Sequence, residues 1–304
     1  MDRTDVILIQ HLLLNSRVSY RELADKLDIS VNAVHKRVQG LIDSGVIHRF
    51  TTKVSLVALG AVAVVIYGPT LEKMDDIAAE LRKDDRIYWI SQASGGMLYV
   101  GGYLHNIGEL EDFVSSVRKV AGIDSPQVGI LAAPPAPTDR DLSRLDYRII
   151  QALSSDSRQA VSDVAEALST SAKTVRRRLA WMTEQNLIEC TLEWYPDKSN
   201  DIISMFHLRL EPGVDRYPMA LSLMSRHSPA VLFFFLFSNQ PDTLLLGTWS
   251  STMSEMNELR RRLEREEGVA SSIPHILYTG EVYETWRERL AEERGGRGTG
   301  ARGQ

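Results

Sequence analysis

Between Ser30 and Arg37 the chain places Asn32, His35 and Lys36 three and four residues apart, a spacing that puts them on one side of a helix. An asparagine amide pairs with the edge of adenine, and lysine or histidine reaches guanine or a phosphate. Ser30 and Val31 stand at the start of that helix, where free backbone N–H groups suit a phosphate oxygen. Arg37 and Arg49 are further phosphate candidates. At an offset of 141 residues, Ser171, Lys173, Thr174, Arg176, Arg177 and Arg178 repeat the arrangement with more positive charge. Glu189 and Glu193 stand where the first copy has His48 and Thr52. Both would repel phosphate, so the second copy is expected to read DNA less well than the first.

Other chemistry finds little support. There is no phosphate loop, metal-ligand cluster or nucleophile elbow, so no metal or cofactor is expected. His105, His207, His227 and His275 are scattered, without a pair at clear strand spacing. A single cysteine, Cys190, excludes an internal disulfide and suits a reducing cytoplasm. The net charge of −5 excludes a globally basic coat, so nucleic-acid contact must come from local patches. Asp2 and Asp5 sit where an export signal needs positive charge. The apolar run from Val54 to Tyr67 is too short to span a bilayer. A cytoplasmic protein with no membrane association is expected.

The elements that must position these residues follow from local pattern. Asp2 to Leu14 predicts an amphipathic helix. Ser19-Tyr20-Arg21-Glu22 reads as a capping box opening a second helix, whose buried face is Leu23, Ala24 and Leu27. Asp28-Ile29-Ser30 is a tight turn. The third helix, 31–44, turns Val34, Val38, Leu41 and Ile42 inward and ends at Gly45. A strand, Val46 to Phe50, and a polar turn at Thr51, Thr52 and Lys53 complete a winged helix-turn-helix. In the second copy Val175, Leu179 and Met182 face inward and Asn186 replaces the glycine stop.

The repeat is ungapped from Asp5–Ile47 to Asp146–Ile188, with Ser16/Ser157 and Arg17/Arg158 among the identical pairs. After each copy the pattern reads strand, helix, strand, strand, helix, strand. The predicted elements are 57–67, 71–83, 87–93, 97–104, 107–120 and 127–131, then 202–210, 217–226, 230–238, 243–249, 253–266 and 272–278. That order describes a ferredoxin-like βαββαβ unit. The fold class is therefore α+β and internally duplicated. Its parts are a winged helix-turn-helix at 1–53, a ferredoxin-like domain at 54–131 and a proline-rich linker at 132–139. A second helix-turn-helix follows at 140–195, a second ferredoxin-like domain at 196–280, and a C-terminal helix with a disordered tail at 281–304. The run Val231–Phe237 does not alternate, so both its faces need cover. Helices supply one cover; the other must be a sheet from the first half or from a second chain.

With SYRELADKLDISVNAVHKRVQGLIDSGVI followed by βαββαβ, the chain resembles the Lrp/AsnC family of transcription regulators, twice over. In that family a single copy is usual. The resemblance implies DNA binding by the helix-turn-helix, pairing through the βαββαβ (RAM-type) domain, and an amino-acid-like effector at a Gly-x-x-Asp loop. Here Ser94-Gly95-Gly96 keeps the glycine without the acid, and Asn239 to Asp242 keeps the acid without the glycine. These five residues, Ser94, Gly95, Gly96, Asn239 and Asp242, are the effector candidates. The expected partners are double-stranded DNA and a second copy of the chain, with a pseudo-dimer inside one chain as the alternative. Two rival readings remain. Sirohaem decarboxylases look similar in architecture and need histidines and basic residues around a tetrapyrrole, and a small-molecule sensor without DNA binding would use only the βαββαβ halves.

Overall fold

The computed structural model describes residues 1–132, 141–195 and 198–296. The first half contains α1 (Arg3–Leu14), α2 (Tyr20–Leu27), α3 (Val31–Asp43), β1 (Ile47–Val54), α4 (Leu56–Leu59), β2 (Val62–Pro69), α5 (Met74–Leu81), β3 (Ile87–Ala93), β4 (Met97–Leu104), α6 (Leu110–Ala121) and β5 (Gln127–Ile130). The second contains α7 (Arg144–Ala152), α8 (Val161–Ala167), α9 (Ala172–Glu184), β6 (Ile188–Trp194), β7 (Ile202–Leu210), α10 (Arg216–Arg226), β8 (Val231–Leu236), β9 (Thr243–Ser250), α11 (Met253–Leu263), β10 (Val269–Val282) and α12 (Trp286–Gly295). All but residue 132 of the expected linker, and the tail beyond 296, lie outside the described residues. No helix among the described residues is long and apolar enough to cross a membrane.

The duplicated α+β architecture is as read. Ser30 caps α3 and Ser171 caps α9 through the backbone N–H three residues on. Asp28 and its counterpart Ser169 both take left-handed backbone at the turn, as do Gly45 and Asn186 after the third helices. Two local readings change. The Ser19 hydroxyl caps α2, but Glu22 pairs with Lys26 at 3.0 Å instead of closing a capping box. The expected strand from Val57 begins only at Val62, because Ser55 caps the helical turn α4 and Gly60 ends it.

The βαββαβ halves merge into one eight-stranded sheet of order β5-β2-β4-β3-β10-β7-β9-β8. Strand β10 carries the join: Val269–Ile276 pairs with β7, and Leu277–Val282 crosses to β3. At the opposite edge Leu131 bridges Phe237, the Ser238 N–H donates to the Ile130 carbonyl at 2.7 Å, and Asn239 exchanges hydrogen bonds with Ile130 and Val128. The two edge strands thus meet at one end, which shortens the unpaired backbone that invites aggregation.

Helices cover the outer faces over two separate cores. The inner faces meet on Val65, Tyr67, Tyr99, Met205, Phe237 and Leu245. Phe234 and Leu236 turn to the helices, while Phe233, Phe235 and Phe237 turn to the inner face of the first half's strands. That second cover comes from this chain's own first half.

Candidate nucleic-acid interface

The outward faces of both third helices are free. Ser30, Val31, Asn32, His35 and Lys36 are exposed on the first, as are Ser171, Lys173, Arg176 and Arg177 on the second, with Thr174 half-buried. Their inward faces anchor them: Val34, Val38 and Leu41 sit in one helical core, and Val175, Leu179 and Met182 in the other. The His35 ring leans edge-on against Tyr20 at 4.3 Å between centroids, which orients it.

Three arginines expected on phosphate are held elsewhere. Arg37 donates to Asp2 and Asp5 at 2.7 and 2.8 Å, fastening α3 to the start of α1. Its counterpart Arg178 makes a two-pronged contact with Asp146, a carboxylate with no exposed surface. Burial pushes the Asp146 carboxyl up, but hydrogen bonds from Arg178 and Ser143 outweigh it and hold the group below its ordinary value. Arg49 is held by Glu193 at 2.6 Å, with Glu284 beyond. In these pairs the arginines help to position the readers.

The segment read as a polar turn is strand. Thr51 and Thr52 are buried because β1 pairs antiparallel with β6, Thr51 opposite Thr191 and Thr52 opposite Cys190. The first copy thus supplies the partner that buries the second copy's strand, and the reverse. In this two-stranded ribbon Glu193 pairs with both Arg49 and Lys53, and Glu189 pairs with Arg287. The two glutamates are occupied, so the charge argument against the second reader falls away.

Two of the repeat's identical pairs, Ser16/Ser157 and Arg17/Arg158, meet where the copies face each other. Ser16 Oγ and Ser157 Oγ lie 2.5 Å apart. Arg17 donates to the Ser157 and Gln159 carbonyls, and Arg158 donates to the Ser16 and Val18 carbonyls. Arg158 also lies over the Tyr20 ring at 4.1 Å. This reciprocity marks a pseudo-two-fold axis between the readers, and it fixes one against the other.

The five effector candidates lie in the β3–β4 and β8–β9 turns. Ser94, Gly95 and Gly96 form the β3–β4 turn, where both glycines take left-handed backbone. Ser94 Oγ accepts from the Ile276 N–H of β10 at 3.0 Å. Asn239 ties the β8–β9 turn to β5, and Asp242 is exposed, accepting from Thr243. Each turn clamps the last strand of the opposite half: the first holds β10 at the centre of the joined sheet, and the second holds β5 at its edge.

Strand pairing also gathers what the sequence scattered. His207 and His275, on neighbouring strands, have ring centroids 4.6 Å apart. Tyr99 Oη lies 2.7 Å from His207 Nε2. Burial, with His275 alongside, pushes His207 down to about 3, so it is neutral. His227 meets Glu266 at 2.7 Å, and His105 stacks on Trp286 at 4.0 Å.

Residues 1–48 match the model for winged helix-turn-helix DNA-binding domains, and residues 142–183 the model for AsnC-type helix-turn-helix domains. The chain is 30% identical over 127 residues to an uncharacterized HTH-type transcriptional regulator of Pyrococcus horikoshii, covering 41% of this chain and 86% of the relative. It is also 30% identical over 127 residues to the HTH-type transcriptional regulator LrpA of the same organism, covering 40% and 90%. The crystal structure of the siroheme decarboxylase NirDL shares the fold over 96% of this chain and 98% of that one, with a TM-score of 0.61 and 13% identity.

Proposed function

Since this chain belongs to the Lrp/AsnC family of HTH-type transcriptional regulators, in a tandem form, we propose that one polypeptide reads two DNA half-sites as a pseudo-dimer. The observation that carries this is the reciprocal contact of Arg17 and Arg158 with the opposite reader, together with the β1–β6 ribbon. These contacts hold the two readers in a fixed relation, the geometry that a homodimer of single-copy chains obtains from two subunits.

Asn32, His35 and Lys36 meet base edges and phosphates in one half-site. Lys173, Arg176 and Arg177 do so in the other, with Ser30, Val31, Ser171 and Thr174 offering helix N-terminal groups to phosphate. Because the two faces differ in charge, the two half-sites differ in sequence. Selection of binding sequences from a random duplex pool tests this. An asymmetric two-part site bound by one chain supports the reading; a single palindrome bound by two chains overturns the pseudo-dimer.

The protein acts through DNA and carries no catalytic activity of its own. In support, His207 is neutral and faces Tyr99, while the basic Lys53 and Arg287 are already paired with carboxylates. Addition of sirohaem should leave the absorption spectrum of the pigment unchanged; a shifted spectrum would restore the enzyme reading. A small-molecule effector remains part of the proposal.

A further inference from the structure

A cavity of about 390 Å³ lies between the β1–β6 ribbon and the joined sheet, within the roughly 300–1,000 Å³ range of small-molecule sites. Six aromatic rings line it: Tyr88, Trp89, Tyr103, Trp194, Phe233 and Phe235. Two glycines keep two of those rings flat against the sheet. A Cβ on Gly101 would stand 1.9 Å from Trp89 Nε1, and one on Gly247 would stand 2.2 Å from Phe233 Cζ. The Trp89 and Phe235 rings lie within 18° of parallel. The buried Trp89 Nε1 has no hydrogen-bond partner.

The charged groups on the wall are spoken for. Lys53 is shared by Glu193 and Glu288 at 3.0 Å each, Arg287 is paired with Glu189, and Glu281 accepts from Tyr283 Oη at 2.6 Å. Three carboxylates against two cations leave the lining slightly acidic, so an anionic ligand would meet no free cation.

We propose that this cavity binds a small, uncharged, planar aromatic molecule, which stacks on the Trp89 and Phe235 side and contacts the ribbon on the other. Apolar walls with flat aromatic faces favour a ring system over an aliphatic chain. The ribbon side of the cavity includes Lys53, Glu189, Leu192, Glu193 and Trp194, residues of the strands that join the two readers. Occupancy therefore acts on the element that sets the readers' relative position. The effector role rests on the regulator reading; the site itself does not.

The fold supplies a clean perturbation. Gly280 lines the cavity, and a Cβ there meets nothing within 4 Å. Gly280→Ile fills the space with a residue that strands favour. Titration calorimetry of the full chain with indole should show one site, weakened at least tenfold by Gly280→Ile and retained by Gly280→Ala. Indole-3-acetate, which adds a carboxylate, should bind at least tenfold more weakly than indole. No heat with indole up to its solubility, or equal affinity in Gly280→Ile, overturns the site. A DNA affinity that indole leaves unchanged, with binding to the cavity intact, overturns the effector role and leaves the regulator reading standing. Failure of the protein to bind any duplex would fall on that reading instead.

Discussion

Arg37 and Arg178 are the same residue of the repeat, and replacing each by methionine should have different consequences. Methionine keeps the stem and removes the charge. Arg178 grips Asp146, which has no exposed surface, and Arg178 itself is only 25% exposed. Removing one partner of a buried pair leaves an uncompensated charge and costs about 3–5 kcal/mol. The partial exposure of Arg178 argues for the lower end, about 3 kcal/mol. Arg37 is 34% exposed and its partners Asp2 and Asp5 are 55% and 18% exposed, so its loss should cost about 0–1 kcal/mol.

Backbone hydrogen exchange read separately on α9 and α3 distinguishes the two. At about 1.4 kcal/mol per decade, Arg178→Met should speed exchange in α9 by roughly a hundredfold, and Arg37→Met should speed exchange in α3 by less than about fivefold. Adding Asp146→Asn to Arg178→Met should recover part of the loss, since the amide removes the stranded charge and can still accept from Ser143. Equal acceleration in both helices would refute the burial argument. Unchanged exchange with lost DNA binding in Arg178→Met would return that arginine to the phosphate contacts.

Lys36→Ala should weaken DNA binding at every sequence, lower the salt slope by about one and leave exchange in α3 unchanged; competition binding at two salt concentrations checks it. The Lys173→Ala, Arg176→Ala, Arg177→Ala triple variant should reduce the slope by about three, and an unchanged slope would show that the second reader does not touch phosphate. Gly101→Ala should destabilise the sheet by about 1–3 kcal/mol, because Trp89 must leave its seat; denaturation followed by tryptophan fluorescence reports it. His207 binds its proton less readily folded, at about 3, than unfolded, near 6.5. Its contribution is complete above about pH 6.5 and is lost as pH falls toward 3, at about 1.4 kcal/mol per unit. His207→Gln should therefore flatten the stability profile between about pH 6 and 4, and a profile as steep as the parent's would count against the burial of that ring.

Much of the architecture was legible because it is local. Ser30 and Ser171 announce their caps, and the ungapped repeat announces two copies. What stayed hidden depends on partners far away in the chain. Thr51 and Thr52 read as a polar turn, since nothing near them can bury a threonine; Thr191 and Cys190 do so from 138 to 140 residues away. Arg49 and Arg37 read as phosphate ligands because side-chain type does not reveal which carboxylate the fold will bring. His207 and His275 show no spacing in the sequence, because their proximity comes from the pairing of β7 with β10. One signal was available: Ser16/Ser157 and Arg17/Arg158 are identical in both copies, and residues beside a two-fold axis must complement their own counterparts.

The fusion also permits an asymmetry that two identical subunits lack. In the first reader α1 rests directly on the second half: Val6 packs with Ile203, Leu232 and Trp249, and Gln10 donates to the Val231 carbonyl at 2.8 Å. The corresponding helix α7 rests instead on α12, where Ala291 enters its core and Arg294 donates to Tyr147. Helix α12 is in turn fixed to the first half, through Trp286 Nε1 on the Tyr103 carbonyl at 2.8 Å and Arg287 on the Val54 carbonyl. A helix is ~10 Å across, so the second reader stands off from its sheet by an element that the first does not have. The ribbon and the paired arginines preserve the two-fold relation near the axis, and α12 breaks it farther out. In a closed pair of identical chains such a helix would appear on both sides; here the tandem order gives it to one side, and the two recognition helices are freed from presenting equivalent faces to equivalent half-sites.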